Sequence, residues 1–342
     1  MPFRDYLYVC EVSGRSELAS VALGAHSLQD CLMLHNHASE AVKEQYLAPL
    51  VAGEVFPSFA MTEPDIVSSD PTGIQTEAKL QDGHWVINGR KWWCTGASLA
   101  AFTSVMVRTE TGDDTMPHTA FSIVLVPKGT PGFSIVRATH VLGTDSIDHS
   151  ELVFDNVRVP EENLIGPRGL GFMVAMERLG PGRVFHCMRW IGQMQRAFDL
   201  MCTRLAQRRV QGGRKRLGDM QLMQKHVFDS YVDINSHRLL TLAAAEAMDG
   251  GRYARIELAA AKAFGAGALC RVMDRAVQVW GAKGLSSDTP LSDMYRHARA
   301  ARFYDGPDEV HFATLGRLMV RGYSSGQAWE FSEGRFKRVA KL

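Results

Sequence analysis

Cysteine is scarce and dispersed: Cys10, Cys31, Cys94, Cys187, Cys202 and Cys270 form no CxxC pair. That argues against a disulfide framework or a cysteine-rich zinc site and fits a reducing compartment. Net charge is nearly absent, with 38 Lys and Arg against 37 Asp and Glu. No global field therefore draws nucleic acid or an anionic membrane surface. No apolar run approaches the ~18 residues of a membrane span. The N-terminus has no apolar stretch followed by a small-residue cleavage site, so no secretory signal is expected. Internal repeats and low-complexity tracts are missing too. The expectation is a bacterial-type soluble, cytoplasmic protein with no nucleic-acid partner and no membrane span.

What the chain does have is enough apolar residue for a sizeable core, 46% of 342 positions, and a length suited to two or three packed units. Three textures follow one another. From Leu18 to about Ala52 the pattern is helical; Ser39-Glu40 opens a segment through Val42, Tyr46, Leu47 and Leu50 that Pro49 is expected to break. From Ser58 to about Pro167 come short β runs with turn signals: Trp85–Ile87, Ser104–Val107, Phe121–Val126, Phe133–Val136 and Glu151–Phe154. Asp82-Gly83 and Asn88-Gly89 predict two tight hairpin turns, since these dipeptides tolerate positive φ. Pro117, Pro127, Pro131 and Pro160 punctuate the runs. A small β-barrel or sandwich is expected here.

From Gly171 onward the period is helical. Val184, Cys187, Ile191, Met194, Phe198, Met201 and Leu205 mark one face, and Leu258, Phe264, Leu269, Val272, Ala276 and Val279 mark another. The second helix is rich in Ala and Gly, which lets neighbouring helices approach closely. The fold class is therefore α+β, with domains over 1–57 (helical), 58–167 (β) and 168–342 (helical bundle). The His35-Asn36-His37 pair points to different helix faces and predicts no metal site. The Met188, Met194 and Met201 stripe reads as core.

Distinctive wording sits at the joints between these regions: Met61-Thr62-Glu63-Pro64 with Ser69-Asp70 behind it, Lys91-Trp92-Trp93-Cys94-Thr95-Gly96, Gln278-Val279-Trp280-Gly281-Ala282-Lys283-Gly284, and Tyr304-Asp305-Gly306. In this order and spacing the motifs resemble the acyl-CoA dehydrogenase family from about Leu32 to about Tyr323. Met61–Asp70, Leu179–Arg183, His186–Arg189 and Asp305–His311 look like the branch containing family members ten and eleven. The resemblance implies a flavoprotein oxidoreductase of fatty acid β-oxidation, built as an N-terminal helical domain, a middle β-barrel domain and a C-terminal helical bundle. It implies bound FAD, an acyl-CoA substrate, an electron-transfer flavoprotein or similar acceptor, and a homodimer or homotetramer. Relative to the family the N-terminal domain is short.

By resemblance Asp305 is the base that takes the α-proton while the β-hydrogen leaves as hydride to the flavin. Most of the family has Glu there, so the base is one methylene shorter. The family's other base position falls on Gly182, which cannot serve. Without the family, Asp305 reads as a helix N-cap, since Asp-Gly-Pro-Asp opens a helix well. The resemblance also implies that Trp93 packs on the isoalloxazine, that Thr95 bonds near N5, and that Phe59, Met61, Thr62 and Ser69 line the flavin. Trp93 would otherwise read as core. Arg208 and Gln221 match residues that reach a neighbouring subunit's FAD, and Gln278, Gly281 and Ala282 match a turn that meets FAD across a dimer interface. Arg183 and Gly306 fall on substrate positions. Gln211, Ala282 and Pro307 depart from the family wording. Two rivals stay open: an oxidase on the same scaffold, acting on a nitroalkane or an acyl-CoA, and a binding protein that keeps the fold without the activity.

Overall fold

The computed structural model describes residues 2–22, 27–68, 70–112, 116–142 and 148–338. It divides into two compact units, Gly24–Leu179 and Met1–Leu23 with Gly180–Leu342. The stretch expected as an N-terminal domain is thus shared: α1 (Phe3–Gly14) and α2 (Glu17–Ala22) belong with the C-terminal helices.

The first of these units begins with α3 (Leu28–His37) and α4 (Glu40–Val42). Ser39 caps α4, its Oγ accepting from the Val42 N–H at 3.3 Å. Pro49 does not break the helical path. A single π turn over Lys43–Leu47 precedes it, and Pro49 falls in the opening turn of α5 (Ala48–Ala52). The Ala48 N–H just before it bonds back to the Lys43 carbonyl, so the helix runs through the proline without a new start.

Eight strands follow: β1 (Pro57–Ala60), β2 (Glu77–Gln81), β3 (His84–Thr95), β4 (Phe102–Arg108), β5 (Phe121–Pro127), β6 (Phe133–Ala138), β7 (His149–Pro160) and β8 (Leu164–Ile165). They form one sheet in the order β6-β7-β3-β2-β4-β5-β8, with β1 parallel to β4. Alternation on β4 and β5 sends residues to two cores. Phe102, Met106, Phe121, Ile123 and Leu125 pack with Leu34, Val42, Leu50 and Val174 from the helices. Val105, Val107, Val124 and Val126 pack with Trp85, Ile87, Leu152, Phe154 and Val157 from β3 and β7. Strands apart in the order share this second core, so the sheet curls round it.

Asp82-Gly83 makes the expected hairpin, leaving Gln81 paired with His84. Asn88-Gly89 does not turn the chain. It lies inside β3, where the register against β7 slips between Ile87 and Gly89. Gly89 has φ +149°, and a Cβ there would stand 2.5 Å from Thr76 Oγ1. The glycine serves a β-bulge pressed against the neighbouring backbone, which the dipeptide alone cannot distinguish from a turn.

The second unit takes the rest of α6 (Gly171–Gln207) from Gly180, then a two-strand hairpin of β9 (Arg209–Val210) and β10 (Lys215–Arg216). After it come α7 (Gln221–Asp249), α8 (Arg255–Trp280), α9 (Leu291–Ala300), α10 (Asp308–Ser324) and a hairpin of β11 (Gln327–Glu330) and β12 (Arg335–Arg338). The apolar face of α6 is buried at Val184, Cys187, Ile191, Met194, Met201 and Leu205, with Phe198 only half-buried. On α8 the expected face is buried except at Phe264, which is exposed. At ~100° per residue Phe264 falls well off the line of Leu258, Leu269 and Ala276. The close approach expected of this Ala- and Gly-rich helix occurs at Gly265, where an added Cβ would lie 2.0 Å from the ring of His237 on α7.

That contact yields a test. Gly265→Ala should destabilise the protein by about 1–3 kcal/mol, as overpacking does. Gly316→Ala on α10, where nothing lies within 4 Å, should be neutral or stabilising by up to about 1 kcal/mol. Urea denaturation of both variants checks the contrast; equal effects would remove the His237 contact as the cause.

Candidate active site

Candidate residues fall on both units, and each group is built by local chemistry. In the β unit a buried ion pair organises the loop after β1. Lys91 and Glu63 are both buried, with Nζ 2.9 Å from Oε1. The Glu63 carboxylate also accepts from the Gln75 and Thr76 N–H groups at 2.8 Å each, and Lys91 Nζ donates to the Met61 carbonyl at 2.9 Å. Burial opposes ionisation of Glu63, but Lys91 and these N–H donors outweigh it and hold the carboxyl below its ordinary range. Thr62 completes the tie: its hydroxyl donates to the Trp92 carbonyl at 2.7 Å, and Trp92 N–H donates to the Thr62 carbonyl at 3.0 Å. The Thr62 hydroxyl thus already serves the scaffold. Phe59 carries the Arg178 guanidinium 4.3 Å over its ring, and Met61 packs on the core. Ser69 lies outside the described residues.

This clamp fixes the segment that displays Trp93. A second register slip on β3, between Lys91 and Cys94, leaves the two tryptophans out of step with β7. Trp93 adopts φ +57° and remains 41% exposed. Left-handed backbone is an outlier for so bulky a residue, and such strain concentrates at functional sites. The ring stands 5.4 Å from His149, whose Nδ1 is 3.0 Å from Thr95 Oγ1. An exposed indole face beside a hydroxyl, on a rigid strand, fits a flat aromatic ligand.

In the helical unit the focus is the turn between α9 and α10. Asp305 has φ +56° and Gly306 φ +99°, a pair of left-handed residues that turns both carbonyls toward buried donors. Arg183 Nε donates to the Asp305 carbonyl at 2.9 Å, and His311 Nε2 donates to the same oxygen at 3.3 Å. Lys262, 1% exposed, donates Nζ to the Gly306 carbonyl at 2.6 Å and lies 3.9 Å from Asp308 Oδ1. Burial, with Lys262 and Arg183 adding to it, pushes His311 down to about 4, so its ring is neutral at pH 7. The N-cap of α10 is Pro307, which makes no side-chain cap bond. Asp305 is not the cap that its sequence neighbourhood suggested.

With its main chain pinned, the Asp305 side chain is 15% exposed, and Oδ2 lies 3.5 Å from His186 Nε2. His186 sits on α6 one turn after Arg183. Its ring packs 5.0 Å from Tyr304, whose hydroxyl accepts from Trp190 Nε1 at 2.7 Å. The arrangement offers a held carboxylate with limited water contact, suited to proton abstraction.

Arg183 and Gly306 therefore join Asp305 in one cluster. Arg208, Gln221, Gln278, Gly281 and Ala282 lie elsewhere on the unit, all exposed. Gln278 faces a groove of about 650 Å³ between α7 and α8 with Lys225, His226, Arg271 and Arg275. Gly281 ends α8 at φ +65°, ψ −147°, with nothing within 4 Å of its missing Cβ. A smaller cavity of about 260 Å³ lies under the β9–β10 hairpin, lined by Cys202, Leu205 and Arg216 among others. Sequence reasoning missed Lys262 and His311 as supports of the turn. A lysine between Ala261 and Ala263 on an otherwise apolar face was the available signal. Among the described residues no group of His, Cys, Asp and Glu could hold a metal ion, and no helix is long and apolar enough to cross a membrane.

The β unit thus presents a strained, exposed indole and the helical unit a carboxylate held on a turn. Comparison with known proteins makes this specific. The acyl-CoA dehydrogenase middle-domain model matches residues 58–157 and the C-terminal-domain model residues 169–320. A Mycobacterium tuberculosis protein named probable acyl-CoA dehydrogenase FadE2 is 42% identical over 92% of this chain and 78% of its own length. Mouse acyl-CoA dehydrogenase family member 10 is 39% identical over 94% of this chain, which spans 31% of that longer protein. A solved Mycobacterium abscessus structure described as an acyl-CoA dehydrogenase superposes with TM-score 0.90 at 35% identity, covering 94% of this chain and 80% of that one. The chain belongs to the acyl-CoA dehydrogenase family, whose members are FAD-containing oxidoreductases acting on acyl-CoA.

Two tests follow. Lys91→Met leaves Glu63 buried without its cation and should cost about 3–5 kcal/mol, read by denaturation; a loss under about 1 kcal/mol would show that the clamp is not electrostatic. The second concerns pH. Folded His311 sits at about 4 against an ordinary 6.5, so between those values the unfolded chain binds more protons. Stability should therefore fall as pH drops from 6.5 toward 4. His311→Asn should lose less stability than wild type between pH 7 and pH 5, measured by urea midpoints; an identical loss would exclude His311 from the acid response.

Proposed function

We propose that this protein is an FAD-dependent dehydrogenase that removes the α- and β-hydrogens of an acyl-CoA, with Asp305 taking the α-proton. The observation that carries the reading is the Asp305 carboxylate, partly sequestered and set by a main chain held by Arg183, His311 and Lys262. When bound, FAD supplies the acceptor for the β-hydride. Trp93 offers its exposed face to the flavin ring, and Thr95 offers a hydroxyl beside it. The Glu63–Lys91 clamp keeps Met61 and Thr62 in register with that face. An α-proton next to a thioester is weakly acidic, so its removal needs a base held in place before substrate arrives. Asp is short, and a fixed turn replaces the reach of the missing methylene.

Arg208, Gln221 and the Gln278–Ala282 turn serve a neighbouring copy's FAD in this reading, so the protein is a homo-oligomer. Phe228, Tyr231, Val232 and Leu239 share one exposed face of α7, which supports association of copies. Electrons leave to an electron-transfer flavoprotein or a similar acceptor.

Asp305→Asn keeps the shape of the side chain but cannot accept the proton. The variant should fold, retain FAD, and reduce it with acyl-CoA roughly 10²–10⁴-fold more slowly than wild type under anaerobic conditions. Trp93→Ala should instead lower FAD retention on gel filtration. Equal reduction rates for wild type and Asn would remove Asp305 from the chemistry. A wild type that stays colourless after FAD incubation would defeat the enzymatic reading.

A further inference from the structure

We infer that Arg178 is a positioning residue for the cofactor: clamped by the buried Asp30 carboxylate, its guanidinium braces the Phe59 ring, so that the ring is set before FAD binds. The inference rests on Phe59 lining the flavin, and it gives a task to two residues that the family motifs do not contain.

All three residues belong to the Gly24–Leu179 unit. Asp30 stands in the first turn of α3, where the helix dipole favours a carboxylate. Arg178 reaches it from α6 through a two-pronged contact, Nε donating to Oδ1 at 3.1 Å and Nη2 to Oδ2 at 2.8 Å. Only 11% of the Arg178 side chain and 1% of the Asp30 side chain are exposed. The fork fixes the guanidinium plane, and its central carbon stands 4.3 Å from the centre of the Phe59 ring. A cation so placed and so sheltered is drawn to the ring face. A lysine could supply the charge but not the fork.

Stability gives no reason for this pair. Along the same two helices Met33, Leu34, Val174 and Ala175 build an apolar core, and a buried ion pair is often no better there than apolar side chains of similar volume. The helices are also tied a second time, His37 Nε2 lying 2.6 Å from Glu177 Oε2. What the pair does touch is Phe59, and Phe59 sits beside the segment that carries Trp93. Just before it, Ser58 Oγ donates to the Thr95 carbonyl at 3.1 Å. Just after it, Thr62 and Trp92 exchange two hydrogen bonds. The chain is thus stitched to the Trp92–Thr95 segment on both sides of Phe59, and Arg178 holds what those bonds leave loose, the ring. A ring already held loses little freedom when a ligand settles on it, which favours binding.

The test titrates FAD into the full chain and reads the dissociation constant by flavin fluorescence. Asp30→Asn with Arg178→Met removes both charges together, so no buried ion is left unpaired. This pair variant should fold and bind FAD roughly 3–30-fold more weakly, the worth of a sheltered cation–aromatic contact. Phe59→Leu alone should weaken FAD binding too. The three substitutions together should be no weaker than Phe59→Leu alone, because a brace without its ring has nothing to hold. The visible circular dichroism of bound flavin, which reports how the ring sits, should change alike in the pair variant and in Phe59→Leu. Wild-type affinity in the pair variant would overturn the inference, as would losses that multiply in the triple variant. If the pair variant fails to fold, Arg178→Lys takes its place. It keeps the charge without the fork and should bind FAD at least about threefold more weakly; wild-type affinity there would overturn the inference. Phe59→Leu separates the two claims. If it binds FAD as wild type does, Phe59 leaves the flavin site and the brace goes with it; if it weakens FAD beside a silent pair variant, only Arg178 is sunk.

Discussion

Two carbonyl oxygens carry much of the helical unit's chemistry. Those of Asp305 and Gly306 point inward because both residues adopt left-handed backbone, a conformation that Gly takes freely and Asp tolerates better than most residues. Unmet in the interior, each would cost the free energy of a lost hydrogen bond. Arg183, His311 and Lys262 meet them, from three different helices. The turn thereby joins α6, α8 and α10, and the carboxylate that projects from it inherits their rigidity. Lys262 is the most telling of the three. An ammonium so deeply buried is costly, and its position is explained by the Gly306 carbonyl and Asp308 together.

The β unit solves a related problem with the same means. A tryptophan cannot be held in left-handed backbone by its own preference. The bulge at Lys91–Cys94 forces it there, and the Glu63–Lys91 pair keeps the bulge from relaxing. Buried ion pairs are weak evidence of net stability, but breaking one is costly, so they suit sites where geometry matters more than stability. In both units a buried lysine donates to a main-chain carbonyl next to a residue of the candidate site. The strain at Trp93 and the unusual turn at Asp305 thus each lie beside a buried polar contact.

Much of the architecture was legible in the letters. Short β runs between turn signals became strands, period-three-to-four runs became helices, and Asp82-Gly83 made its turn. The misses were local and have physical causes. Asn88-Gly89 carries the same positive-φ tolerance in a bulge as in a hairpin, and the close contact of Gly89 with Thr76, just before β2, appears only in the folded chain. Pro49 reads as a stop, but the helical path runs through a π turn over Lys43–Leu47 and on across it into α5. Phe264 was counted on a face it does not share, and Asp305 reads as a cap although the capping position is two residues later.

What the sequence determined by itself was the order of textures and the wording of the motifs, because periodicity and local conformational preference are properties of neighbours along the chain. It placed Asp305 in a motif and Trp93 near a Thr, and it left their surroundings blank. Tertiary structure alone decided that Arg183 and Lys262, 79 residues apart in number, hold adjacent carbonyls, and that His186 Nε2 lies 3.5 Å from Asp305 Oδ2. Those assignments depend on which helix faces meet. Helix faces meet through packing, so residues distant in the chain become the partners that set direction, protonation and strain.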